Sequence, residues 1–380
     1  YELPASFALR SDVLTDPDFV SLIRQHSNNN EFGILLEITP KLADLAGVEY
    51  QAGNESHDSW YQAQHVFLIG YSQEDRQKII DTYISLYEDV FNTRPTYSVA
   101  WMIDAWSLQY LREKYGIKTH QITREQYGTD SYTLYGGPSH YPYYPSQNWA
   151  MIPADAQNQI ANENQPMPLI MRQTITDPVF NYGDSTNSYT SQPNDYMIRK
   201  DTRSYFEHLF LQAHNQNHQF TFALIGLENS MYPEAQEEFL RQLSFIDAWE
   251  AESPAHMVLR ASELPSQLPQ NLSSTKLSVY SGQSRNNRTE KAFWITTDTY
   301  RARVRVSDGS LFISDLRIYD SAMVDPYKNA QAQKLGWWIV PFLVDGSRFF
   351  IQDMSELLPL PHNDTLVDRP EYLHTPTRIL

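Results

Sequence analysis

Cysteine is missing altogether from the 380 residues, which excludes thiol catalysis and cysteine-ligated metal. Long apolar runs are missing too, and no stretch approaches the length of a membrane span. Basic charge is scarce: 29 Lys and Arg stand against 46 Asp and Glu, a net charge of −17. That balance argues against nucleic acid and anionic membrane surfaces as partners. No Gly-x-Ser-x-Gly elbow, P-loop or Gly-x-Gly-x-x-Gly fingerprint occurs, so serine-hydrolase, nucleotide and dinucleotide chemistry lack support. The sequence opens on Tyr1 rather than Met, and a targeting segment removed or not included is compatible with that start. Sequons at Asn54, Asn271, Asn287 and Asn363 are about as many as chance supplies in so Asn-rich a chain.

Aromatics are what the chain has in quantity, 13% of residues with 25 Tyr and 8 Trp, many beside Gly, Pro, Asn or Ser. A flat ring covers the apolar face of a pyranose while its polar tip hydrogen-bonds, so loop Tyr and Trp suit a sugar-binding cleft. About half are expected to be core instead. Hydrophobic content of 41% is enough for a full core, and the length allows one large domain and a smaller one.

Strands and helices alternate from residue 5 to about 268. Strands are expected at Ala5 to Leu9, Phe32 to Ile38, before Asp104, from Thr119 to Ile122, at Met167 to Ile175, at Phe220 to Leu227 and at Met257 to Leu259. Helices are expected from Asp16, with Pro17 at N1, and over Ser72 to Asn92, where Ile79, Ile80, Tyr83, Leu86, Tyr87 and Val90 form an apolar stripe. Others follow Asp104 and cover Thr202 to His214 and Pro233 to Trp249. Such alternation signals a parallel α/β architecture. A long Tyr/Gly/Pro-rich loop from Tyr127 to Pro153 interrupts it, and loops of that length are usually functional. From about residue 269 the pattern becomes β-rich, with a hairpin turn at Asp308-Gly309. This gives a domain over 1–268 and a smaller, sandwich-like β-sheet domain over 269–380, expected to be cut short at Leu380. There is no internal repeat.

In a parallel α/β fold the chemistry sits beyond the C-terminal ends of the strands. Asp104 is the first candidate, because it ends the apolar run through Trp101-Met102-Ile103 and a helix pattern follows at once. Asp12, Glu37, Asp177 and Glu228 end other apolar runs in the same way. One strand-end acid is ordinary; several converging on one mouth supply the paired carboxylates that glycoside hydrolysis requires. Apolar neighbours such as Trp101 or Leu227 would help push two carboxyl pKa values apart. Among the 11 histidines, His214 and His218 have i,i+4 spacing but read as an exposed helix end, and His57 and His65 flank a loop. No metal ligand and no cofactor is expected from them.

The layout resembles the glycoside hydrolase/deacetylase superfamily of incomplete (β/α)7 barrels, over roughly residues 5 to 268. Glu31-Phe32-Gly33 resembles the Glu-Ile-Gly that opens the second motif of NodB-type polysaccharide deacetylases. Their metal histidines would fall at Leu35 and Thr39, and their first-strand Asp pair at Ser11-Asp12, so the zinc chemistry does not carry over. Trp101-Met102-Ile103-Asp104 resembles the Trp-x-Ile-Asp of family 38 α-mannosidases, whose Asp is the nucleophile, although Arg10-Ser11-Asp12 does not supply that family's His-x-Asp. The chain is also similar to the metal-free family 57 of glycoside hydrolases. By strand count, Asp104 and Glu228 fall where that family keeps its nucleophile and its acid/base, with the residue types exchanged.

The resemblance implies a retaining, metal-independent glycoside hydrolase acting on a surface or extracellular polysaccharide, secreted or at the cell surface. Asp104 would attack the anomeric carbon and Glu228 would protonate the leaving oxygen. Asp12, Glu37, Asp130 and Asp177 would bind sugar hydroxyls or tune those two carboxyls. Trp101, Trp106, Tyr127, Tyr132, Tyr143, Tyr144 and Trp149 would form the sugar platform. Two other readings stay open: a non-catalytic carbohydrate-binding protein on the same barrel, and a metal-dependent deacetylase built on Asp12 with atypical ligands.

Overall fold

The computed structural model describes residues 2–51, 63–129, 132–155, 166–181, 183–184, 187–201, 204–217, 220–228, 232–268, 277–285, 289–332, 336–345 and 358–359. In the first half, strands β1 (Ala5–Leu9), β2 (Asn30–Leu35), β3 (Tyr97–Val99), β4 (Thr119–Thr123), β5 (Gln126–Thr129), β6 (Tyr132–Tyr135) and β7 (Leu169–Gln173) are interleaved with helices. These helices are α1 (Ser11–Leu14), α2 (Pro17–Gln25), α3 (Pro40–Leu45), α4 (Ala63–Val66), α5 (Gln73–Phe91) and α6 (Ala105–Tyr115). A two-stranded hairpin, β8 (Gly183–Asp184) with β9 (Asn187–Ser188), precedes α7 (Pro193–Ile198), α8 (Ser204–His214), α9 (Pro233–Ala251) and α10 (Leu264–Gln267). The C-terminal part is built of β10 (Ser278–Gln283), β11 (Lys291–Thr296), β12 (Tyr300–Ser307), β13 (Ser310–Ile318), β14 (Gly336–Ile339), β15 (Phe342–Asp345) and β16 (Leu358–Pro359).

The protein is a mixed α/β fold. Its first sheet is five-stranded and parallel in the order β1-β2-β3-β4-β7; its second is antiparallel in the order β10-β11-β12-β13-β15, with β16 beside β13. A third sheet links the two parts of the chain, because β14 pairs in parallel with β6, Trp338 opposite Leu134. None of the described helices is long and apolar enough to cross a membrane.

Local signals explain the helices around the parallel sheet. Asp16 caps α2 by accepting from the Asp18 and Phe19 N–H groups, and Pro17 fills N1. Ser72 caps α5 through the Asp75 N–H, and the helix turns Ile79, Ile80, Tyr83, Ile84 and Tyr87 inward. Gly116 ends α6 at φ +76, a left-handed position that glycine takes without a Cβ penalty. Asp308 and Gly309, both at positive φ, turn β12 into β13.

Period-two alternation along the parallel strands sorts their side chains onto two faces. Ile34, Ile122 and Ile170 belong to the large cluster shared with α5 and α6, each fully buried. Tyr97, Val99, Leu169 and Met171 face the other way and pack with Phe220, Phe222 and Leu224. The segment 220–227 carries no strand ladder. It lies beside the end of β7, where Thr174 Oγ1 donates to the Leu224 carbonyl at 3.1 Å, and is held mainly by side-chain packing. The expected strand at Met257 to Leu259 is likewise without a ladder; the chain just beyond it is fastened by Ala261 N–H to Ser6 Oγ (2.8 Å) and Ser262 N–H to Glu31 (3.1 Å). Of the β continuation expected after Asp345, 347–352 lies outside the described residues.

Candidate site at the strand ends

Three charged side chains meet beyond the C-terminal ends of β1 and β2. Arg10 follows β1 directly, Asp12 sits in the first turn of α1, and Glu37 lies two residues past β2. Strand pairing Leu9 with Ile34 brings these ends side by side. Arg10 grips Asp12 with two hydrogen bonds, Nε to Oδ1 at 2.9 Å and Nη2 to Oδ2 at 2.6 Å, and its Nη1 lies 3.8 Å from Glu37 Oε2. The side chains keep 34%, 41% and 12% exposure respectively, so Arg10 and Asp12 reach solvent and Glu37 barely does.

Electrostatics follow from that geometry. The Arg10 hydrogen bond holds the Asp12 carboxyl below its ordinary range, against a smaller opposing effect of partial burial. Asp12 in turn raises Arg10. Beneath them the fully buried Tyr83 hydroxyl reaches the carbonyls of Leu9 and Leu35, and burial holds it protonated. A tyrosine of α5 thus pins the two strand ends that carry the charged group. Half-buried Trp101 stands just past β3, packed against both the outer and the inner cluster. Inside the sheet, Tyr97 donates to Gln121 Oε1 at 2.6 Å and Gln121 Nε2 donates to Gln173, a polar row crossing β3, β4 and β7.

Asp104 is elsewhere. It has no exposure and is the N-cap of α6, accepting from Ser107 N–H at 2.9 Å and Ser107 Oγ at 2.6 Å, with Arg76 Nη1 at 3.0 Å. Burial raises its carboxyl, opposed by Arg76. Its partners come from the helix layer, so its contacts are those of a structural cap. Asp177 is equally enclosed, taking N–H groups from Val179, Phe180 and Arg285 and the Ser284 hydroxyl. Glu228 is exposed at the end of segment 220–227.

The expected platform rings separate. Tyr143, Tyr144 and Trp149 are core: Tyr143 donates to the Ala150 carbonyl at 2.8 Å, and all three lie in hydrophobic clusters. Trp106 stacks on Tyr110 along α6, centroids 5.2 Å apart. Tyr127 and Tyr132 fall on β5 and β6, with only their backbone described, while Asp130, His57 and His218 lie outside the described residues. His65 is buried and His214 packs on Phe210 and Trp249.

Sequence reasoning passed over Arg124, Glu125 and His140. The sequence Thr123-Arg124-Glu125 ends β4 as Leu9-Arg10 ends β1. Glu125 is fully buried against Arg172 (3.2 Å) and Arg301, which hold it well below the carboxylate range despite burial. Arg301 reaches on to Asp315 at 3.0 Å, and Asp315 to Arg317, so a buried ion network joins the parallel sheet to the antiparallel one. Among the described residues, no group of three or more His, Asp or Glu side chains could hold a metal ion.

A family model described as a domain of unknown function with a solved structure (DUF3863) matches residues 48–165. No curated protein matches the chain. Among solved structures, a chain from Parabacteroides distasonis, provisionally named a glycoside hydrolase/deacetylase, is similar at a TM-score of 0.64 and 13% identity. The match covers 98% of this chain and 97% of that one. At this identity the likeness is one of fold, and it spans both sheets.

Proposed function

We propose that the chain is a carbohydrate-active hydrolase of the glycoside hydrolase/deacetylase superfamily, with its glycan laid across the rim formed by Arg10, Asp12, Glu37, Trp101 and Glu228. The fold shared end to end with the similarly named bacterial chain supports the superfamily. In the same reading, segments 220–227 and 257–260 stand in for the last strands of an incomplete (β/α)7 barrel. The protein works outside the cytoplasm, on a polysaccharide.

The observation that carries the site is the Arg10 bridge between Asp12 and Glu37 at the ends of adjacent parallel strands. Parallel α/β folds bind their ligands in that position. Carboxylates held by a guanidinium keep lone pairs for sugar hydroxyls, and half-buried Trp101, just past β3, would supply the ring. Retaining hydrolysis needs one ionised and one protonated carboxyl about 5–5.5 Å apart. Asp12, kept ionised by Arg10, suits the nucleophile or base, and the exposed Glu228 suits the proton donor. Asp104 would act through α6, as a positioning residue.

The second reading is glycan binding without turnover, favoured by one feature: Asp12 commits both oxygens to Arg10. The same feature speaks against Asp12 as the start of a metal site.

A glycan panel scored for reducing-end release, with the fold checked by circular dichroism, tests the proposal. Asp12→Asn and Glu228→Gln are expected to lower turnover at least about a hundredfold, and Glu37→Gln chiefly to raise KM. Asp104→Asn should lower Tm yet leave turnover per folded molecule within about threefold. Binding without release in the wild type would establish the second reading. Turnover lost in Asp104→Asn alone would return the nucleophile to Asp104.

A further inference from the structure

The polar row inside the parallel sheet ends on the amide of Gln173. Tyr97 OH donates to Gln121 Oε1 at 2.6 Å, and burial keeps that hydroxyl protonated. Gln121 therefore turns its Nε2 toward β7, where it donates to Gln173 Oε1. With its oxygen taken in this way, Gln173 presents Nε2, which can only donate. Among the described residues that nitrogen has no hydrogen-bond partner. It is not one of the sealed unpartnered atoms either, so solvent reaches it although the residue is only 7% exposed.

Across from it, segment 220–227 alternates. Phe220, Phe222 and Leu224 pack on this inner face with Val99 and Met171, while Ala223 and Ile225 turn to the cluster of α8 and α9. The next residue on the inner side is Gly226, which has no side chain to offer. A Cβ there would lie 3.8 Å from both Cδ and Nε2 of Gln173, with nothing nearer, and the backbone is outside the left-handed region. The column of apolar side chains thus stops opposite the amide, and Glu228 follows two residues on. Register sets the height. Leu35, Val99, Gln121 and Met171 pair in one row, and two residues further come Glu37, Trp101, Thr123 and Gln173. The donor belongs to the same level of the mouth as the rim.

We propose that Gln173, facing Gly226, forms a glycan subsite in which Nε2 donates hydrogen bonds to an uncharged acceptor oxygen of the sugar. Tyr97, Gln121 and Gln173 are all neutral, so the row fixes the donor without supplying a counter-charge for an acidic sugar. The acceptor is a ring hydroxyl or the carbonyl of an acetamido group, and the missing side chain at Gly226 gives it room. The subsite rests on the glycan reading of the rim and adds what the sugar must present.

The test uses the full chain, isotope-labelled in its glutamine side chains and titrated with cellobiose and with N,N′-diacetylchitobiose. These sugars differ by a hydroxyl against an acetamido group on each ring. The Gln173 amide signal, assigned by its loss in Gln173→Glu, should shift saturably. A shift with diacetylchitobiose alone identifies the acetamido carbonyl as the acceptor, and a shift with cellobiose identifies a hydroxyl. In calorimetry, Gln173→Glu keeps the oxygen that Gln121 needs but loses the N–H groups, and should weaken binding about fivefold. Gly226→Leu covers the amide and should weaken it by a similar factor, which keeps the test open if Gln173→Glu does not fold. Equal affinities in the wild type and both variants overturn the subsite. Binding heat with an unmoved Gln173 signal overturns it while leaving the rim reading standing; no binding heat with either sugar counts against both.

Discussion

Asp104 and Asp325 share one helix N-terminus: Asp325 accepts from the Ala105 N–H at 3.0 Å and Asp104 from the Ser107 N–H at 2.9 Å. Two buried carboxyls therefore stand at the head of α6, and Arg76 is paired with Asp104 at 3.0 Å. Asp325 also takes the Tyr327 N–H (2.7 Å) and Trp338 Nε1 (3.2 Å), so the arrangement ties α6 to the chain entering β14.

This pairing makes stability depend on pH. Burial, and then the charge of Asp104, push the Asp325 carboxyl up from 3.8 to about 7. A carboxyl raised on folding stabilises when protonated, so its contribution is complete below about pH 4 and is lost as pH climbs through 7. Urea unfolding at pH 5 and pH 8 should show the wild type losing more stability than Asp325→Asn. The loss begins near pH 4, so the difference between pH 5 and pH 8 is up to roughly 2.5–3 kcal/mol. Parallel behaviour of the two proteins would refute the assignment.

Arg76→Met should be among the most destabilising single changes in the protein. It strands Asp104 without its cation and removes donors to the carbonyls of Leu68, Tyr71, Tyr327 and Ala330. Breaking a buried pair in this way costs about 3–5 kcal/mol, read from the urea midpoint at pH 7. Arg76→Lys keeps the charge and should cost clearly less.

At the rim, Arg10→Met frees Asp12 from the hydrogen bond that lowers it. The Asp12 carboxyl should then titrate at higher pH. Carboxyl NMR titration of both proteins checks the shift directly. An unchanged Asp12 titration would mean that Arg10 does not hold it in solution.

Gly33→Ala tests the packing of β2 on β3. A Cβ there would come within 2.4 Å of the Tyr97 carbonyl oxygen and 2.6 Å of its ring. The carbonyl belongs to the backbone and cannot swing aside, so overpacking should cost about 1–3 kcal/mol. A thermal melt matching the wild type would show that the strands separate freely.

Much of the scaffold was legible because it is locally determined. Asp16-Pro17, Ser72 and Gly116 mark helix ends through chemistry within one turn, and α5 displays its buried stripe openly. The rim was half legible. Asp12 and Glu37 were recognisable as strand-end acids, but only pairing Leu9 with Ile34 brings them to one guanidinium. Asp104 reads two ways for a physical reason: a strand-end acid before a helix serves equally well as that helix's cap, and the neighbour that marks the cap, Arg76, lies 28 positions away. Segment 220–227 has the composition of a strand yet takes no ladder, because composition reports burial and not hydrogen-bond partners. Arg124 and Glu125 were invisible as a centre, since Arg301 comes from a different sheet.

The joint between Glu125 and Arg301 spans 176 positions, and this has a consequence for biosynthesis. At about 5–20 residues per second a ribosome needs roughly 9–35 s to deliver the arginine after the glutamate. Through that interval Glu125 and Arg172 lack Arg301, and β6 waits still longer for β14. Until then the nascent chain holds those charges and the β6 edge without their partners. Chaperone demand and aggregation of the nascent chain should be set by this delay, and a circular permutant that brings the two segments together would shorten it.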